Sequence, residues 1–167
     1  MNIGILSDTH GYLNPKILDH FKACDQIWHA GDIGDYSIIE SLEEICPVKA
    51  VYGNIDSHDI RLATLEHNKF NCEGLKIWIT HIGGYPPKYT KQMKLMLQAD
   101  PPDIFVCGHS HILKVIKDPN INNLLSINPG ACGTHGFHKM STIIRFSINA
   151  GILSNMQIIE LGQRGKL

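Results

Sequence analysis

Asp, His and Asn side chains, which offer oxygen and nitrogen to a metal ion, recur in short glycine-containing blocks along this chain. "SDTHG" carries Asp8 and His10, "HAGDIGD" carries His29, Asp32 and Asp35, and "YGNIDSHD" carries Asn54 and Asp56. "THIGG" adds His81, and "CGHSH" adds His109 and His111. Imidazole and carboxylate donors without thiolate suit manganese, iron, nickel or zinc better than calcium or magnesium. Each block alone has an ordinary reading: Asp8 as a helix cap with His10 in a loop, Asp32 as a second cap, His81 as a partly buried histidine. In extended chain, residues two apart point the same way, so His109 and His111 are expected to face one cluster. Gly108 before them eases tight backbone geometry.

The elements that would position these blocks follow from the apolar pattern. "NIGIL" reads as a strand buried on both faces, since it lacks polar alternation. "NPKILDHFKAC" reads as a helix with Asn14 as N-cap and Pro15 at its first position. "QIWHAGD" is a second strand, "YSIIESLEEIC" a helix with Ile38, Leu42 and Ile45 on one face, and "VKAVYGN" a third strand. That βαβαβ order implies parallel strands with crossover helices. "KFNCEGLKIWITHI" then reads as a hairpin around Glu73-Gly74, and "KYTKQMKLMLQA" as a helix stopped by Asp100-Pro101-Pro102. After "DIFVCGHSH" the pattern is strand again, with a hairpin turn at Asn149-Ala150-Gly151. A parallel half and an antiparallel half suggest two packed sheets with helices outside. Every block above falls at the carboxyl end of a strand, where open α/β sheets bind ligands.

Size and composition set the frame. A chain of 167 residues, 43% hydrophobic and 19% charged, is expected to form one globular domain over residues 1–167. A formal net charge of -1 gives no basic surplus for nucleic acid polymers or anionic membranes. Five cysteines without a CxxC pair suit reduced thiols in a cytoplasm. The N-terminal apolar run is too short for a signal peptide, and no window reaches transmembrane length. A soluble cytoplasmic protein is expected.

Taken in order, Asp8-Thr9-His10, Gly31-Asp32-Ile33-Gly34-Asp35, Gly53-Asn54-Ile55-Asp56, His81 and Gly108-His109-Ser110-His111 resemble the five signature blocks of calcineurin-like metallophosphoesterases. Together with "INPGACG", they resemble most the small bacterial and archaeal phosphodiesterases of that superfamily. The resemblance implies an α/β fold of two packed mixed β-sheets flanked by helices, a four-layer αββα sandwich. It also implies two divalent transition-metal ions, manganese foremost, with iron, nickel or zinc as alternatives. One site would take Asp8, His10, Asp32 and His111, the other Asp32, Asn54, His81 and His109, with Asp32 shared. Catalysis would run through Asp32, Asn54, His81 and His109, by attack of a metal-bridging hydroxide on a small phosphodiester. His29 and Asp35 are candidates to orient ligands from behind, against plainer readings as a core histidine and a helix-face carboxylate.

Ile55 departs from the wider superfamily, in which many members carry a histidine directly after the ligand asparagine. Isoleucine cannot protonate a leaving group, which shifts the expectation from monoester towards diester hydrolysis. Asp56, His135 and His138 are the candidate replacement donors. The alternatives are a non-catalytic protein-binding scaffold of the same fold, or a phosphomonoesterase. No membrane and no nucleic acid polymer is expected as a partner, and a homodimer is left open.

Overall fold

The computed structural model describes residues 1–164. The first half contains β1 (Asn2–Leu6), α1 (Pro15–Phe21), β2 (Gln26–His29), α2 (Ser37–Glu43), β3 (Val48–Ala50), α3 (His58–Ala63), β4 (His67–Cys72) and β5 (Leu75–Thr80). A short hairpin follows, β6 (Gly84–Tyr85) with β7 (Lys88–Tyr89), then α4 (Lys91–Ala99) and β8 (Ile104–Val106). The chain ends in β9 (Lys114–Asp118), β10 (Leu124–Asn128), β11 (Met140–Asn149) and β12 (Ile152–Gln163). Among the described residues, no helix is long and apolar enough to cross a membrane.

Two five-stranded sheets form, in the orders β12-β11-β1-β2-β3 and β4-β5-β8-β10-β9. The expected division into a parallel half and an antiparallel half does not hold. Each sheet is mixed: β1-β2-β3 and β5-β8-β10 run parallel, while β11 and β12, β4, and β9 join antiparallel. The late hairpin β11-β12 crosses back to the first sheet, pairing Ile5 with Ile144. Linear order could not show that return.

Period-two alternation sorts the side chains into layers. Ile3, Ile5 and Trp28 of one sheet meet Ile77, Ile79, Ile104 and Val106 of the other between the sheets. The alternate positions Leu6 and Ile27 face outward onto Ile17 and Phe21 of α1 and onto Ile38 and Leu42 of α2. On the opposite side, Trp78 and Phe105 pack under Met93 and Leu97 of α4. The result is the four-layer αββα sandwich, and burial on both faces explains why β1 reads as an unbroken apolar run.

The caps agree with the sequence where it has them. Asn14 Oδ1 accepts from the Lys16 amide, with Pro15 at the first helical position. Helix α3 was not foreseen, because its six residues bury only Ile60 and show no periodicity.

Candidate metal centre

Five parallel-running strands bring their carboxyl ends to one rim, and the loops that leave them carry the polar blocks. Asp8 and His10 follow β1 and His111 follows β8, with their ligand atoms all within 4.8 Å of one another. Asp32 after β2, His81 after β5 and His109 after β8 form a second group within the same limit. In the first group, His111 Nε2 lies 3.1 Å from Asp8 Oδ1 and 3.4 Å from His10 Nε2. Asp32 joins the groups: its Oδ2 is 3.7 Å from His10 Nε2, and its Oδ1 is 3.3 Å from His81 Nε2. Asn54 stands beside the second group, between Gly53, where a Cβ would collide with Asp32 Oδ1, and Ile55, whose amide donates to that oxygen at 3.1 Å.

His109 and His111 join different groups, as the resemblance implies, but not through the extended backbone that their spacing suggested. Both sit in the left-handed backbone region, at φ 65° and 56°, so the chain coils instead of extending. One imidazole therefore goes to each group. Asp8, His10 and Asp32 also have positive φ, at 57°, 49° and 54°. Each such non-glycine residue costs on the order of 1–3 kcal/mol, and strain of this kind concentrates where function requires it.

These residues fit divalent cations on their own chemistry. Asp8 Oδ1 and His81 Nε2 are buried and have no aligned hydrogen-bond partner among the described residues, which is costly unless something compensates them. The Ala30 carbonyl, 2.8 Å from His81 Nδ1, can only accept, so Nδ1 carries a proton and Nε2 is the ring atom that faces Asp32. Burial opposes ionisation of Asp32, but His81, the Ile55 amide and His10 outweigh it and hold the carboxyl below its ordinary range.

Residues 1–151 match the family model for the calcineurin-like phosphoesterase superfamily domain. The chain belongs to that superfamily. It is 33% identical over 138 residues to a probable metallophosphoesterase of Methanocaldococcus jannaschii, covering 78% of this chain and 68% of that one. A phosphodiesterase of the same organism is 28% identical over 148 residues, covering 79% and 84%. Among solved structures, an archaeal phosphodiesterase superposes with a TM-score of 0.77 at 24% identity, covering 96% of this chain and all (100%) of the other. Zinc-complexed Vps29 from Entamoeba histolytica superposes with a TM-score of 0.75 at 16% identity, covering 96% and 99%.

In this calcineurin-like site, several residues work behind the candidate ligands. Asp56 accepts from the Gly34 amide with Oδ1 and from the Gly53 amide with Oδ2, both at 2.7 Å, tying the loop after β2 to the loop after β3. Engaged on both oxygens, it is a tether, which removes it as a proton donor. Asp35 is likewise corrected: it is exposed and binds the Ser37 amide and hydroxyl at the start of α2, away from the ligands. Arg61, which the sequence did not single out, is the larger omission. Its guanidinium donates to the carbonyls of Asp56, Gly53 and Asn54 at 2.9, 3.0 and 3.2 Å, fixing the Asn54 turn to α3. Arg164 was also missed; its Nη1 is 3.3 Å from His111 Nδ1. His135 and His138 do come to the site, with rings 5.6 Å from those of His10 and His111 respectively.

His29 is fully buried, 3.0 Å from Thr9 Oγ1, and accepts the Gly31 amide on Nδ1 at 3.2 Å, so it joins the first two loops. Burial lowers its pKa from 6.5 to about 4. Between those values the unfolded chain binds a proton that the native chain refuses, so unfolding takes up protons and stability decreases as pH is lowered. The contribution is complete above pH 6.5, shrinks as pH drops towards 4, and amounts to on the order of 3 kcal/mol over the window. Denaturant unfolding from pH 7 to 4.5 should show a steep loss of stability that is shallower in His29→Gln. Equal slopes would contradict the assignment.

Proposed function

We propose that this calcineurin-like protein is a phosphodiesterase acting on small diesters at two divalent cations that share Asp32. Asp8, His10, Asp32 and His111 would hold one cation, and Asp32, Asn54, His81 and His109 the other. The observation that carries this reading is the placement of Asp32, with one carboxylate oxygen turned towards each group. When bound, the cations supply Lewis-acid charge and make water nucleophilic at neutral pH. The nitrogen and oxygen donors suit manganese, iron, nickel or zinc, and manganese is the ion that the resemblance puts first.

The protein's own groups do the rest. The Asp56 tether and the Arg61 bonds hold the Asn54 turn against Asp32, so little reorganisation is needed when a diester arrives. Arg164 adds positive charge beside the first group, where an anionic phosphate would sit. His135 and His138 remain as proton donors, but burial, followed by His111, lowers the pKa of His138, so it is a weak source of protons at neutral pH. The site therefore suits leaving groups that depart without protonation. The five buried free cysteines, with Cys107 and Cys132 pushed up to about 12 by burial, support reduced thiols and a cytoplasmic setting.

The test is a kinetic panel of aryl diesters and monoesters with manganese-loaded protein. The diester should have the higher kcat/KM, and Ile55→His should raise alkyl-monoester hydrolysis by about 10²-fold, the lower range of general acid assistance. Ile55 is 46% exposed, so the substitution leaves the core intact. A faster monoester in the unaltered protein would overturn the diesterase reading.

A further inference from the structure

A cavity of about 370 Å³ opens beside the second group and is bounded on that side by Asn54 and His81. Its other walls include Tyr52, Arg61 and His67, together with Gln92, Met93 and Met96 of α4, a helix that the site does not otherwise use. The volume lies within the range of small-ligand sites. Two thioethers and a tyrosine ring give apolar, polarisable surface that suits a flat aromatic group. A polar group is set among them, the exposed Gln92 amide.

We propose that this cavity binds one ester arm of the substrate, the arm that stays on phosphorus, and that this arm carries a planar hydrogen-bonding heterocycle of nucleobase class. The inference rests on the phosphodiesterase reading above. An in-line displacement expels its leaving group on the side opposite the attacking oxygen. A cavity walled by Asn54 and His81 themselves adjoins the second group, so an arm retained on a phosphorus held there would reach it.

The experiment compares thymidine 5′-(p-nitrophenyl phosphate) with methyl p-nitrophenyl phosphate on the full manganese-loaded chain, so both release the same chromophore. KM should be about tenfold lower for the thymidine diester, a difference typical of one filled pocket. Met96→Trp, which fills the cavity from α4, should remove that preference, and Gln92→Ala, at an exposed position, should reduce it. Equal KM values in the unaltered chain, or a preference that survives both substitutions, would overturn the proposal. Calorimetric binding of thymidine 5′-phosphate against methyl phosphate supplies a readout that needs no turnover. If neither diester is hydrolysed, the phosphodiesterase reading fails. Tighter thymidine 5′-phosphate binding that Met96→Trp abolishes would still support the cavity, and equal binding would overturn it.

Discussion

Asp32→Asn should lower kcat on bis(p-nitrophenyl) phosphate by about 10³-fold while leaving the fold intact. The estimate comes from the general worth of one charge beside a cation near a protein surface, about 4 kcal/mol at 4 Å and an effective dielectric near 20. The asparagine would keep the shape of the side chain, but its two ends are no longer equivalent. The Ile55 amide needs an acceptor, and it now donates to Asp32 Oδ1. The variant should therefore retain its oxygen towards His81 and turn its NH₂ towards His10, where Oδ2 now lies 3.7 Å from Nε2. An N–H donor cannot ligate a cation, so the first group should lose its metal before the second. Retained kcat with an unchanged unfolding midpoint would contradict the shared role of Asp32.

His111→Ala and His109→Ala should each empty a different site, although only Ser110 separates the two residues. His111 stands with Asp8 and His10, and His109 with Asp32 and His81. Loss of a direct ligand should weaken its own site by at least about 10²-fold, since even removing a group that only supports a ligand costs 10–100-fold. Manganese makes the outcome visible by electron paramagnetic resonance. The unaltered chain should give the broadened spectrum of a coupled pair, and each variant the sharp signal of an isolated ion. If either substitution abolished both sites together, the two groups would not be separate binding units.

The sequence made much of this arrangement legible because strand ends and polar blocks coincide in linear order. Asp8, Asp32, Asn54, His81 and His109 each follow a strand within a few residues, and the strand pattern itself is set by local alternation. The coiled backbone at His109 and His111 was not legible, because a left-handed conformation at non-glycine residues is imposed by surrounding contacts. One such contact is the His109 amide, which donates to Asp8 Oδ2 at 3.2 Å across 101 positions of sequence. Arg61 and Asp56 were misjudged or missed for a related reason. Their partners are backbone groups, which carry no residue-type signal. The cavity walled by α4 depends on how that helix packs over Trp78 and Phe105, a tertiary fact beyond periodicity.

The central claim is that two cation sites share Asp32, and counting metals in the unaltered chain tests it most directly. Equilibrium dialysis against manganese followed by elemental analysis should return about two ions per chain, the number that two-metal hydrolases need. A count of one would leave Asp32 without a bridging role, and a count of zero would favour a protein-binding scaffold on the same fold.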